Sequence, residues 1–175
     1  SSQIQTDIHM WLPIKGLLRN DVFFLVPDPD TTVTGPGNTP SLITLGGYDA
    51  KTESIWASSS RGYTLSGQVK PDLTAPAVEV YGPSPSRLST SGLPSLDSFT
   101  RKTGTSAASA LAAGALAILI DWRMERSNDI FPFLTNRSAK NYLIRGARRR
   151  NVYSYPNREW GYGELDLYGV FESLL

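Results

Sequence analysis

An α/β fold, strands packed with a buried apolar helix, follows from three observations in the 175-residue sequence. Short apolar runs at 42–45 (Leu42, Ile43, Thr44, Leu45) and 77–81, each bounded by turn-forming residues, read as buried strands. The run Gly104-Thr105-Ser106-Ala107-Ala108-Ser109-Ala110-Leu111-Ala112-Ala113-Gly114 continues through Leu116, Ile118, Leu119 and Ile120, which is a helix too apolar for a surface. The opening 37 residues, by contrast, are rich in strand-like alternation and turns.

Each element follows in chain order. Ile8, Met10 and Leu12 alternate with His9 and Trp11, which predicts a strand, and residues 21–26 predict a second. The turn Pro27-Asp28-Pro29-Asp30 leads to Thr31-Thr32-Val33-Thr34, and Gly35-Pro36-Gly37 breaks the pattern. After the strands at 42–45 and 77–81, residues 82–104 are dominated by Pro, Ser, Thr and Gly and read as a surface loop carrying the chain to Ser106. Residues 138–145 predict an amphipathic helix with Ala139, Tyr142 and Leu143 on one face and Gly146 as C-cap. Arg148-Arg149-Arg150 reads as a solvated loop. A last helix is expected over 164–175, with Leu165, Tyr168 and Phe171 facing the body. No internal repeat is evident.

Composition narrows the function. Seventeen basic against 16 acidic side chains leave a net charge of +1, which gives no reason to expect nucleic acid or an anionic membrane as partner. The absence of cysteine excludes disulfides and thiolate metal sites. Asp28, Asp30 and Asp49 are scattered on turns without a Ca²⁺-loop pattern, so neither metal nor cofactor is expected. The first residues are too polar for a signal peptide, and Ser1 in place of a methionine suggests a start inside a longer gene product. The apolar stretch 107–120, interrupted by Ser109 and closed by Asp121, is shorter than the roughly 20 residues of a membrane span and reads as a buried helix.

Ser106 is the candidate catalytic residue. It falls at the first turn of the apolar helix, where free backbone N–H groups and the positive dipole end favour developing negative charge. A hydroxyl attacking a carbonyl needs such stabilisation for the tetrahedral oxyanion. The run 104–114 resembles the serine motif of the subtilisin-like peptidases, G-T-S-x-A-x-P-x-x-A-G, with Ser106 on the nucleophile and Ala110 in place of the proline. Three more landmarks follow the family order: Thr39-Pro40-Ser41-Leu42-Ile43-Thr44-Leu45-Gly46-Gly47-Tyr48-Asp49, Ser58-Ser59-Ser60-Arg61-Gly62-Tyr63, and residues 70–80 from Lys70-Pro71-Asp72 onward. There Ala77 replaces the family's glycine after the proline.

The tail narrows the resemblance. Ile144-Arg145-Gly146-Ala147, Tyr155-Pro156-Asn157-Arg158-Glu159-Trp160-Gly161-Tyr162-Gly163 and Leu165-Asp166-Leu167-Tyr168 resemble the C-terminus of the clostridial spore-germination (Csp-type) subtilases, as does Met10-Trp11-Leu12-Pro13. That group carries a jelly-roll domain inserted before the serine segment, and alanine where others carry the motif proline. The resemblance implies that residues 1–37 are closing β strands of the inserted jelly-roll-like domain and that 38–175 are the C-terminal half of a subtilisin-like fold. It further implies a protein or peptide substrate, among them the zymogen of a spore-cortex hydrolase, and a spore-associated or extracellular location.

A Ser-His-Asp mechanism needs a base and a carboxylate to hold it. Subtilases place both, with an asparagine oxyanion donor, upstream of the serine. His9, the sole histidine, sits in Asp7-Ile8-His9-Met10-Trp11, a context unlike the family's, and reads with Asp7 as a solvated strand residue. Asn38 reads as a turn residue, since it abuts the 39–45 strand. Trp56, Tyr63 and Trp160 read as packing residues. The chain is therefore expected to be a nucleophile-bearing part of a serine endopeptidase, inactive alone, whose partner is an upstream segment of the same gene product carrying Asp, His and the oxyanion Asn. The alternative is a catalytically inactive pseudoprotease serving as a binding or signalling module. A standalone β-rich interaction domain is a third reading.

Overall fold

The structure is a computed structural model describing residues 8–13, 15–19, 21–84, 99–126 and 134–175. Its centre is a pair of parallel strands, β1 (Leu45–Asp49) and β3 (Leu73–Pro76), aligned from Leu45 opposite Leu73 to Tyr48 opposite Pro76. The short β2 (Ser54–Ile55) runs antiparallel against the end of β1. On the far edge of β3, Thr74 donates to Gly163 O at 2.9 Å and Leu165 donates to Thr74 O at 2.7 Å, and Arg148 bridges to Glu164 in turn. The C-terminal segment thus extends the sheet by two short strips and covers the edge of β3 at Thr74.

Helix α1 (Thr105–Arg126) lies across β1 and β3. Its buried residues Ala108, Ala112, Ala115 and Leu119 follow helical spacing, so they form one stripe. The small side chains at the N-terminal end let the helix come close to Ala75 and Ala77, whereas Leu119 reaches the larger cluster of Leu73, Leu143 and Val170. Helix α2 (Asn136–Gly146) is capped by Thr135, whose hydroxyl accepts from Ser138 N–H, and buries Ala139 and Leu143. Helix α3 (Leu167–Glu172) is capped by Asp166 and buries Val170. An antiparallel pair, β4 (Val80–Pro83) and β5 (Phe99–Lys102), stands apart from the central sheet.

Two buried ion clusters tie these elements together. Asp72, at the start of β3, accepts from Lys70 Nζ at 2.8 Å, from Lys140 Nζ of α2 at 2.9 Å and from Thr44 N–H at 2.7 Å. Glu164 is gripped by Arg148 and Arg150, and Arg150 also pairs with Glu53 at 3.1 Å. Both carboxylates have almost no exposure, so each is matched by cations as buried charge requires.

Several expected elements shift. Residues 8–12 and 21–26 are not strands: Phe23, Leu25 and Val26 are exposed, and the described residues offer them no ladder to join. The strand expected at 42–45 begins at Leu45, and of the one expected at 77–81 only Val80 and Tyr81 are strand, in β4: β3 ends before it at Pro76, and Glu79 takes a left-handed φ of 49° between the two. The loop of 82–104 ends in strand β5; residues 85–98 lie outside the described residues. Gly146 is the last residue of α2, not its cap, and Ala147 takes the C-cap position. Tyr168 points to solvent, while Phe171 packs edge-on against Trp122. The arginine run is engaged: beyond the two pairs to Glu164, Arg149 donates to Ile144 O at 2.7 Å and Tyr162 O at 2.9 Å. Helix α1 is longer than the apolar run suggested, at 22 residues, enough by length and composition to cross a membrane. It is buried along one stripe only, with Leu111, Ile118, Ile120 and Met124 exposed.

Candidate active site

The turn that presents Ser106 is fixed from below by the end of β3. Ala77 N–H donates to Tyr48 O at 2.8 Å, and Ala77 O accepts from Gly104 N–H at 2.8 Å. Gly104 takes φ 153°, which suits glycine, and its carbonyl accepts from Ala107 N–H at 3.0 Å as α1 begins. Ser106 is thus the second residue of α1, exposed, one turn above a fully buried Ala77. Its backbone N–H has no backbone acceptor and its hydroxyl no hydrogen-bond partner among the described residues. The first turn of α1 holds no acidic side chain, so no local carboxylate offsets the positive end of the dipole. A free hydroxyl beside a free N–H at a helix N-terminus is what attack on a carbonyl and capture of the resulting oxyanion require.

A cleft of about 350 Å³ opens between the 33–37 loop, residues 42–45 and the start of α1; Thr105 and Ser109 line it, and Ser106 itself does not. The 31–34 stretch that forms its far wall is held by Thr32 N–H donating to Arg61 O at 2.9 Å and by Arg61 N–H donating to Thr32 Oγ1 at 2.9 Å.

The other residues singled out in the sequence are not brought to Ser106. His9 is exposed and stacked on Trp11 with ring centres 5.9 Å apart, in a groove shared with Asp28 and Asp30. Asp7 lies outside the described residues. Asn38 closes an exposed turn over 35–38. Asp30 pairs with Arg158, and Asp28 and Asp49 accept from nearby backbone N–H groups at 2.9 and 2.8 Å. No group of three or more potential metal ligands occurs among the described residues. Trp160 is buried against Tyr48 and Tyr153, Trp56 packs on the Ala75–Ala108 cluster, and Tyr63 donates its hydroxyl to Pro156 O at 3.1 Å.

A sequence model of the subtilase family (Peptidase S8) matches residues 26–163, a span holding the serine turn, both parallel strands and the buried Asp72. The chain belongs to the subtilase family. Among solved structures, the Clostridium perfringens CspB protease matches 86% of this chain at 32% identity with a TM-score of 0.72. The prenylagaramide maturation protease PagA matches 85% at 21% identity and TM-score 0.64, and the self-cleaved protease domain of PatA matches 83% at 20% identity and TM-score 0.62. The last two likenesses show the fold alone. The chain spans 30% of the CspB chain and 48% and 46% of the other two. No curated protein sequence matches. The subtilisin-like α/β architecture, and its likeness to the Csp proteases, agree with the reading of the serine motif and of the C-terminal tail.

Sequence reasoning missed two packing devices at opposite ends of β3, of which only the contact of Gly47 with Ala77 lies beneath the Ser106 turn. Lys70-Pro71-Asp72 was visible as a landmark, but its role as a buried cluster with Lys140 needed the fold, because 68 residues separate Asp72 from its second cation. The close approach of Gly47 to Ala77 left only two signals, the glycine itself and the alanine at 77 where the resemblance expects glycine, and nothing that joined them.

Proposed function

We propose that this chain is the nucleophile-bearing part of a subtilisin-type serine endopeptidase. The observation that carries the reading is the exposed Ser106 hydroxyl beside its own unengaged backbone N–H at the start of α1. In the reaction, Ser106 Oγ attacks the scissile carbonyl carbon and its proton passes to a histidine base. The tetrahedral oxyanion is held by Ser106 N–H and a side-chain amide, and collapse breaks the C–N bond as the base protonates the leaving amine. Base, orienting carboxylate and amide donor come from an upstream segment of the same gene product. Residues 1–37 then belong to an inserted jelly-roll-like domain and 38–175 to the peptidase half. The chain by itself has no activity.

The bare side of α1 supports this partner. Leu111 with Ile118, and Ile120 with Met124, are 40–59% exposed on the two flanks of the buried stripe, apolar surface that further elements of a complete subtilase fold would cover. The substrate is protein or peptide, as the CspB protease likeness suggests.

The test is proteolysis of an unfolded protein by the full-length gene product, with Ser106→Ala beside it. The expected result is turnover that falls about 10⁴-fold or more in the variant. Equal turnover in both proteins overturns the reading. No turnover in well-folded wild type favours the pseudoprotease reading, a binding or signalling module on the same fold.

A further inference from the structure

Beneath the serine turn, two small residues from neighbouring strands compete for one space. Gly47 is buried in β1, and a methyl built on it would lie 2.5 Å from the Cβ of Ala77 and 3.3 Å from Cγ2 of Thr105. Ordinary carbon contacts need about 3.5–4 Å, so that methyl is roughly 1 Å too close to Ala77. Neither side can retreat cheaply. Gly47 is pinned by its N–H donating to Ser59 Oγ at 2.9 Å and its carbonyl accepting from Trp56 N–H at 3.0 Å. Ala77 is held at 2.8 Å to Tyr48 O on one side and 2.8 Å to Gly104 N–H on the other. Any push on Ala77 therefore travels to Gly104, and any push on Thr105 reaches the residue next to Ser106.

Ala77 stands where the family motif has glycine, so this chain carries its methyl on the β3 side. We propose that Gly47 and Ala77 are a complementary positioning pair, sharing one methyl site that sets where Ser106 stands. The site tolerates one methyl on either residue but not two. The pair acts through the turn and touches no substrate. The inference rests on the peptidase reading for its kinetic readout and on packing alone for its structural one.

The experiment is a double-mutant cycle in the full-length protein: wild type, Gly47→Ala, Ala77→Gly, and both together. Each is followed by its rate of acylation by a fluorophosphonate and by its thermal midpoint. With the turn displaced, Gly47→Ala is expected to acylate about 100-fold more slowly, since a misplacement near 1 Å costs that much. The double variant is expected within about threefold of wild type, with most of the lost midpoint regained. A double variant as slow as Gly47→Ala, or a Gly47→Ala protein acylating at the wild-type rate, overturns the pairing. Should Gly47→Ala fail to fold, the double variant must still fold and react, and its failure overturns the proposal equally. Should wild type itself not be labelled, the peptidase reading falls, and the four thermal midpoints decide the pair by whether the double variant recovers.

Discussion

Replacing Asp72 with asparagine removes a buried anion while keeping shape. In the native structure the Asp72 carboxylate meets two ammonium groups, Lys70 at 2.8 Å and Lys140 at 2.9 Å, and one backbone N–H at 2.7 Å. Lys70 is almost wholly enclosed, its side chain 2% exposed, and its other acceptors are the neutral Leu42 O at 2.8 Å and Thr44 Oγ1 at 3.1 Å. Lys140, at 15% exposure, has Pro40 O at 2.7 Å and a path toward water. The cost of Asp72→Asn therefore falls mainly on Lys70, left as an uncompensated buried charge, and about 3–5 kcal/mol is expected. The pH dependence gives a second handle. Burial pushes the Lys70 pKa below its ordinary 10.5, while the hydrogen bond and charge of Asp72 hold it up. Between the lowered folded value and 10.5 the unfolded chain binds the more protons, so stability rises with pH across that window. Without Asp72 the folded value drops further, the window opens at lower pH, and the deficit of the variant shrinks as Lys70 sheds its proton. Urea unfolding of wild type and Asp72→Asn at about pH 7 and about pH 9.5 reads both effects. A deficit below about 1 kcal/mol, the range of an exposed pair, would refute the reasoning, as would a deficit that grows with pH.

Three other perturbations test the packing and the bare helix face. Gly146→Ala places a methyl 2.2 Å from Val170 N and 2.3 Å from its Cα, backbone atoms of α3 that cannot turn aside, so a loss of about 1–3 kcal/mol is expected in urea unfolding despite the better helix propensity of alanine. Glu164→Gln removes the buried anion of Arg148 and Arg150, but Arg148 is 57% exposed and Arg150 keeps Glu53 at 3.1 Å, so the urea midpoint should fall by an amount equivalent to about 1–3 kcal/mol, a result that an unchanged midpoint would contradict. Ile118→Glu falls on the exposed face of α1, where a surface change costs little, about 0.5 kcal/mol or less. If the proposed upstream segment covers that face in the full-length protein, the same change there abolishes assembly, seen as loss of soluble protein and of protease resistance.

The serine turn was legible because its residues are contiguous: small residues, a hydroxyl and an apolar helix fall within 104–120. The existence of the C-terminal helices was legible because Ala139 with Leu143 follow helical period, but their ends were not: the caps Thr135 and Asp166 went unread, and the last helix spans Leu167–Glu172 rather than 164–175. What failed to read was set by distant partners. The alternation at 8–12 predicts a strand only if another strand lies beside it, and among the described residues Trp11 reaches the following segment through a single hydrogen bond to Thr31 O at 3.2 Å. Arg148, Arg149 and Arg150 look like a solvated run until Glu164, Glu53 and two backbone carbonyls are folded against them. Helix α1 reads as buried because its sequence is apolar all round, whereas within this chain it is covered along one stripe only, the rest being surface that the proposed upstream segment would cover.

The central claim is that Ser106 is an assembled nucleophile in the full-length protein. Treating that protein with a fluorophosphonate, digesting it with trypsin and sequencing by mass spectrometry examines the claim at one atom. Cleavage after Lys102 and Arg123 releases the peptide 103–123, in which Ser106 is accompanied by Thr103, Thr105 and Ser109 as the other hydroxyls. The account predicts one phosphonyl adduct, on Ser106, that disappears when the protein is unfolded before treatment. An adduct on another residue, or a folded full-length protein with this peptide unmodified, would contradict it.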